Sequence, residues 1–172
     1  MKVAIYSRVI DQEDHSEIQD LFNELYAQQI EPVIYQPFFE QIIQSVRLSE
    51  HHLNTFSHSA DLDESIDFII SLGGDGTLLD TVTLVRDKNI PILGINFGRL
   101  GFLASIGKEE LKIAIAAMVS RNFVVDKRSL IHLDASTHLF GDTPYALNEF
   151  AIHKTDISPM IKIHTYLNGE FL

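Results

Sequence analysis

One carboxylate of this sequence, Asp75, stands among glycines in the segment Ser71-Leu-Gly-Gly-Asp-Gly-Thr-Leu-Leu79. Glycines leave the backbone accessible and permit positive φ, so their amides can converge on a bound anion. A carboxylate repels phosphates, and its place here makes sense if it binds Mg²⁺ or accepts a proton from an attacking hydroxyl. The segment therefore predicts a phosphoryl-transfer site. The alternative is a tight strand-to-helix turn with Thr77 near the helix cap.

Two further segments carry patterns suited to ligand binding. Gly94-Ile-Asn-Phe-Gly-Arg-Leu-Gly-Phe-Leu103 is a second glycine-rich segment, in which Gly98 and Gly101 precede the flat apolar ring of Phe102. Asn148 and Glu149 place an amide beside a carboxylate, a combination that can hydrogen-bond both hydroxyls of a vicinal diol. Taken alone, the Asn-Glu pair would be a polar strand end, and Phe102 would fit a buried core position equally well.

The elements that would position these residues follow from the hydrophobic pattern of the first 122 residues. Short apolar runs predict strands at residues 2–7, 32–35, 67–72 and 91–95. Apolar side chains at helical spacing predict helices within residues 16–26, 38–46, 77–86 and 108–119. The polar stretch 51–64 is expected to be a surface loop. This alternation predicts an α/β, Rossmann-like fold with a mostly parallel sheet and flanking helices.

The pattern changes near Asn122. Residues 123–135, 145–153 and 160–167 predict strands with no helix between them, and Asn168-Gly169 fits a hairpin turn. We therefore predict two domains: residues 1–122, which carry the glycine loop, and residues 123–172, the beginning of a β-rich domain. The return strand that starts at Glu170 has only three residues, so this second domain is expected to be truncated.

The three motifs together resemble those of NAD kinases. Gly73-Gly-Asp-Gly-Thr77 is also similar to the signature of diacylglycerol and sphingosine kinases and, more loosely, of 6-phosphofructokinases. The second glycine segment and the Asn-Glu motif select the NAD kinase family, because lipid kinases lack them in this form. The resemblance implies transfer of the γ-phosphate of ATP to the 2′-hydroxyl of the adenosine ribose of NAD, giving NADP. It also implies a divalent metal ion (Mg²⁺), a homo-oligomer (dimer or tetramer) at full length, and an NAD-binding role for the second domain.

The resemblance assigns roles residue by residue. Asp75 matches the catalytic position, Phe102 would line the adenine pocket, and the remaining contacts to phosphates or ribose fall on Gly74, Gly76, Thr77, Asn148 and Glu149. Many family members carry a basic residue or His at the positions of Asp80 and Pro159, so we expect neither contact here. Arg99 is expected to be a solvated loop residue.

Composition excludes several classes of function. The net charge is −11, and the sequence has no basic face for binding nucleic acid. It also has neither a basic nor an apolar face for docking on a membrane. The absence of cysteine excludes disulfides and thiolate metal sites. The apolar start is too short for a secretory signal, so we predict a cytoplasmic protein. His51, His52 and His58 fit no usual zinc spacing and are expected to be solvated.

Two other functions stay open at this point. One is a nucleotide-binding regulatory domain without turnover, and the other is a lipid or sphingoid kinase of the same superfamily. Because NAD kinases continue beyond the position of Leu172, the chain by itself is expected to have little or no kinase activity.

Overall fold

A six-stranded parallel sheet forms the centre of the fold. The computed structural model describes residues 1–49, 54–98, 101–137, 139–141, 143–153 and 160–172. The strands of the sheet are β1 (Lys2–Tyr6), β2 (Glu31–Tyr35), β3 (Asn54–Phe56), β4 (Phe68–Leu72), β5 (Ile92–Asn96) and β6 (Ile106–Gly107). Their order is β3-β2-β1-β4-β5-β6, and every neighbouring pair is parallel. This is the strand order of a doubly wound α/β fold, so the predicted fold class is confirmed.

Helices cover both faces of the sheet. They are α1 (His15–Ala27), α2 (Gln36–Ile42), α3 (Asp75–Val85) and α4 (Leu111–Val119). Because side chains alternate along a strand, β1 sends Val3 and Ile5 into one core and Ala4 and Tyr6 into the other. The first core also contains the buried stripe of α1, and the second contains Val85 of α3. Burial on both faces explains why the central strands are continuous apolar runs in the sequence.

The four predicted strands and four predicted helices of the α/β part are all present, with shifted ends. The helix after the glycine loop begins at Asp75, two residues earlier than predicted, and α2 ends at Ile42 although its apolar spacing continues to Val46. The prediction of a loop over residues 51–64 was wrong in part, because β3 lies within it and a short 3-10 helix follows at Ser59–Asp61. β6, with two residues, is too short to leave a sequence pattern.

Among the residues described beyond Asn122, the strands form short antiparallel ladders. β7 (Ile131–His132) pairs with β8 (Tyr145–Ala146), and β9 (Tyr166–Leu167) pairs with β10 (Glu170–Phe171). Asn168 and Gly169 have φ of 52° and 88°, which confirms the predicted hairpin turn. Each of the three strands predicted here contains one of these short strands, and the predicted lengths were wrong. Their apolar side chains have no opposing layer to cover them, and Val124 is 96% exposed.

None of the helices within the described residues is long and apolar enough to cross a bilayer.

Candidate functional site

The glycine loop lies where the strand order of the sheet reverses. β1 and β4 are neighbours in the centre, and the chain continues from them toward opposite edges. In open α/β sheets, ligands bind in the crevice beyond the carboxyl ends of two such strands. The buried hydroxyl of Ser7 donates a hydrogen bond to the carbonyl oxygen of Leu72 at 2.8 Å, which joins the two strand ends. Asp75 follows Leu72 by three residues and is therefore at this crevice.

Only one glycine of the loop is required by its backbone angle. Gly73 has a φ of 144°, and its N–H donates to the carbonyl oxygen of Ile95 at 3.0 Å. A Cβ atom at this position would overlap the side chain of Thr77. Gly74 and Gly76 have no such restriction, because a Cβ atom at either position would meet nothing within 4 Å. Their bare backbone therefore borders open space, as approach by a ligand requires.

Helix α3 starts inside the loop and is anchored to the strand that precedes it. Gly74 is its N-cap residue, and the N–H of Thr77 donates to the Gly74 carbonyl oxygen at 3.0 Å. The buried Thr81 Oγ1 lies 2.9 Å from both Ser71 Oγ and the Thr77 carbonyl oxygen. The segment is thus a tight strand-to-helix turn, as the alternative interpretation held. Such a turn is also compatible with a ligand site.

The carboxylate of Asp75 is held by the second glycine segment. Its Oδ2 accepts a hydrogen bond from the backbone N–H of Phe102 at 2.9 Å. Its Oδ1 accepts from Leu103 at 2.9 Å and from Ala104 at 3.0 Å. These bonds, that from Ala104 first, lower the pKa of Asp75 below its ordinary value because they favour the ionised form. The side chain is therefore an oriented anion that links the two glycine segments.

Asn96 is a buried residue of the second glycine segment that holds the following residues in place. The sequence analysis assigned it no role. Its side chain is almost completely buried at the end of β5. Nδ2 donates to the carbonyl oxygen of Ala104 at 3.2 Å, and Oδ1 accepts from the N–H of Gly98 at 2.8 Å. One amide thus joins Gly98 to Ala104 across the connection between β5 and β6. The available signal was a polar residue at the end of an otherwise apolar strand.

Phe102 lies at the surface of this segment with its side chain 98% exposed. The alternative of a buried core phenylalanine was therefore wrong. Gly101, next to it, faces the Asp75 carboxylate so closely that a Cβ atom would overlap it. A flat ring that is free on the surface, beside an oriented carboxylate, is available for stacking on a base.

Asp80 lies on the second turn of α3 and is bound to an arginine from another loop. The guanidinium of Arg8 donates to Asp80 through both Nε and Nη2, and the Tyr6 hydroxyl donates to Asp80 Oδ2 at 3.2 Å. Burial, followed by the charge of Asp80, raises the pKa of Tyr6 to about 12. Position 80 is not basic, as the sequence indicates. A cation, Arg8, nevertheless lies beside it. The sequence analysis did not identify Arg8 as a candidate.

The Asn-Glu pair has no hydrogen bond to the glycine loops within the described residues. Asn148 and Glu149 follow β8 and are both exposed. In the described part of the chain, no hydrogen bond joins either side chain to Asp75 or to the second glycine segment. Arg99, His51, His52 and Pro159 lie outside the described residues. His58 is exposed, as predicted, and its N–H donates to the Asp61 carboxylate at 2.9 Å.

The fold and the site define a class of protein: a doubly wound α/β domain that carries an aspartate-bearing glycine loop at its switch point, a place suited to nucleotides. The family model of the ATP-NAD kinase N-terminal domain matches residues 11–123. The chain belongs to this family.

Similar proteins from several bacteria are named NAD kinase. The one from Cytophaga hutchinsonii is 40% identical over 100% of this chain and 59% of its own length. The one from Flavobacterium psychrophilum is 37% identical with the same coverage. The chain therefore spans 59% of the length of these curated relatives. A crystal structure of yeast NADH kinase complexed with NADH shares the fold, with a TM-score of 0.63 and 20% identity over 79% of this chain and 44% of that chain.

Proposed function

We propose that the protein built on this chain is an NAD kinase, which transfers the γ-phosphate of ATP to the 2′-hydroxyl of the adenosine ribose of NAD and forms NADP. The family and the names of the relatives support this reaction. The observation that carries the proposal is the position of Asp75, an oriented carboxylate at the switch point of the sheet, between two glycine segments.

The role we propose for Asp75 is to orient the ribose hydroxyl and to accept its proton late in the transfer. A sugar hydroxyl is a poor nucleophile while protonated, so a positioned acceptor assists its attack. The backbone bonds lower the pKa of Asp75, which makes the carboxylate a weak base. Orientation therefore contributes more than basicity, because holding a hydroxyl in line with phosphorus removes an entropic cost.

The other contacts follow from the same geometry. Gly74 and Gly76 border open space and would take the phosphates through backbone amides, together with Thr77 at the first turn of α3. The exposed Phe102 ring would stack on the adenine. We propose that Asn148 and Glu149 bind the ribose, which requires the segment after β8 to approach Asp75. This approach depends on parts of the fold beyond the β7-β8 ladder.

The donor set of the site fits Mg²⁺ held mainly by phosphates. Asp75 Oδ1 accepts two backbone bonds and Oδ2 accepts one, so Oδ2 keeps a free coordination position. No cluster of three His, Cys, Asp or Glu is found among the residues that the structure describes. A single carboxylate plus phosphate oxygens is the usual way in which proteins hold this ion. When bound, Mg²⁺ would neutralise charge on the phosphates.

The test is a coupled NADP assay on two forms of the protein. One is the 172-residue chain, and the other is the same chain joined to the part of the Cytophaga relative that it does not cover. We expect NADP from the joined form and little or none from the chain alone. In the joined form, Asp75→Asn should lower kcat by about 100-fold or more while NAD binding is mostly kept.

The matched control is Asp20→Asn, which removes one exposed carboxylate that pairs with Lys112 on the other face of the sheet. It should leave turnover unchanged. If the joined form binds NAD and ATP but forms no NADP, the protein is a nucleotide-binding module and the proposal is wrong. Phosphorylation of a diacylglycerol or sphingoid base in place of NAD would also contradict it.

We further propose that residues 123–172 belong to a second, β-rich NAD-binding domain and residues 1–122 to the α/β domain. The match of the family model to residues 11–123 supports a boundary in this region. A cytoplasmic location and a dimer or tetramer complete the proposal. Size-exclusion chromatography with light scattering on the joined form tests the oligomer.

A further inference from the structure

Arg8 lies at the switch-point crevice, at the end of the strand that pairs with β4. It follows β1 by one intervening residue, Ser7, whose hydroxyl binds the end of β4. The carboxyl ends of these two strands are the walls of the crevice. Arg8 is therefore placed beside the site by the sheet itself and not by a long loop.

The guanidinium is held in one orientation. Nε and Nη2 both donate to Asp80, and Asp80 also accepts from the Tyr6 hydroxyl. Asp80 follows Gly76 by four residues on the same side of α3, about 6 Å along the helix axis. The pair thus fixes the cation one helical turn beyond the open backbone of the glycine loop.

The exposure of this pair is uneven. The side chain of Asp80 is 26% exposed, whereas that of Arg8 is 59% exposed. A surface ion pair contributes little to stability, so stability alone does not account for an arginine that binds one aspartate through two nitrogens at this position. The second terminal nitrogen, Nη1, is not used by Asp80. A planar guanidinium that is braced along one edge is preorganised to bind an oxyanion along another.

We propose that Arg8 binds a phosphate group of the nucleotide in the switch-point crevice, with Asp80 and Tyr6 as the groups that position it. The inference rests on the proposed function for the identity of the nucleotide. Two sources of phosphate fit the same chemistry, the triphosphate of ATP and the pyrophosphate of NAD.

Isothermal titration with ATP, NAD and adenosine distinguishes them, measured on the joined form and on the chain alone. Arg8→Ala should weaken ATP or NAD by about tenfold or more, because it removes a charge-assisted hydrogen bond. Adenosine, which has no phosphate, should bind as before. Loss for ATP alone assigns Arg8 to the donor, and loss for NAD alone assigns it to the acceptor.

Two controls separate this role from a structural one. Lys112→Ala removes a cation from the exposed pair with Asp20 and should leave affinity for both nucleotides unchanged. Asp80→Ala breaks the same ion pair as Arg8→Ala but keeps the cation, so it should cost less affinity. Equal losses for Arg8→Ala and Asp80→Ala would overturn the proposal. The proposal would also be overturned if Arg8→Ala lost no more nucleotide affinity than Lys112→Ala. The same holds if neither form of the protein binds ATP or NAD more tightly than adenosine.

The measured effect of Arg8→Ala on nucleotide affinity does not depend on whether the protein turns over its substrates. If the joined form makes no NADP while nucleotide affinity depends on Arg8, the proposed function fails and the role of Arg8 stands. If Arg8→Ala forms NADP with unchanged KM for both substrates, the role of Arg8 fails and the proposed function stands.

Discussion

Gly101 lies directly against the carboxylate of Asp75. A Cβ atom at position 101 would be 2.5 Å from Asp75 Cγ, which is closer than side chains pack. The absence of a side chain at Gly101 thus allows the next three backbone N–H groups to reach this carboxylate. The glycine of the second segment is therefore required by the aspartate of the first.

Gly101→Ala should consequently damage the site more than the fold. The methyl group would push the segment away from Asp75, and a displacement of about 1 Å at a reacting group can cost about 100-fold in rate. We expect a loss of this size in NADP formation by the joined form, with only a small decrease in the unfolding temperature from the weakened Asp75 contact. Gly98→Ala is the matched control, because its Cβ atom would meet only Asn96 Oδ1 at 3.9 Å. Equal effects of the two substitutions would contradict this relationship.

The pH dependence of the contact has a definite sign. The folded protein lowers the pKa of Asp75 below its ordinary value of about 3.9, so the contact stabilises the fold above that value. This contribution is lost as the pH falls through the lower, folded pKa. NMR titration of the Asp75 carboxyl carbon should give a midpoint below the ordinary value. Gly101→Ala should move the midpoint upward, and a wild-type midpoint at or above the ordinary value would refute the contact.

Asn96 should matter for stability as well as for the site. Asn96→Ala leaves the buried Ala104 carbonyl oxygen and the Gly98 N–H without this partner, which costs about 1–3 kcal/mol in the free energy of unfolding. Urea unfolding followed by circular dichroism measures it. Asn54→Ala is the control, because this exposed amide only donates to Glu31 and should change the free energy by less than about 0.5 kcal/mol. Equal values for both variants would show that the buried amide has no special role.

Phe102, unlike Asn96, should matter for ligand binding and not for stability. Its ring is almost completely exposed, so Phe102→Ala should change the free energy of unfolding by less than about 0.5 kcal/mol. Affinity for adenine nucleotides should fall by about tenfold, since stacking of one base on an aromatic ring is worth about 1–3 kcal/mol. Ile113→Ala, on the outer side of α4, is the matched control for an exposed apolar side chain. Unchanged affinity in Phe102→Ala would exclude a stacking role.

The sequence predicted the central part of the fold well because burial imposes a strong pattern. β1 and β4 are covered on both faces, and continuous apolar runs follow directly from that environment. α1 was equally clear because its four buried side chains recur at helical spacing. The same reasoning overestimated the length of the strands after Asn122, where many apolar side chains of the described residues are exposed.

The contacts within the site were less predictable. Asp75 and Phe102 could be named from motifs, but the bonds between them join residues 27 positions apart through backbone N–H groups. No side-chain pattern encodes such bonds. Arg8 and Asp80 are 72 positions apart, and only the neighbouring positions of β1 and β4 bring them together. The roles of Asn148 and Glu149 remain predictions.

The connection between β5 and β6 leaves and returns at one edge of the sheet. Ile95 is paired with Ile106 and Asn96 with Gly107, so the connection between the two strands is fixed at both of its ends. Residues 102–104, which precede β6, bind the Asp75 carboxylate. A change of length in the connection ahead of these residues would act on the ligand side without shifting the register of either strand. Evolution can therefore remodel the ligand side of this protein here while the scaffold beneath it stays the same.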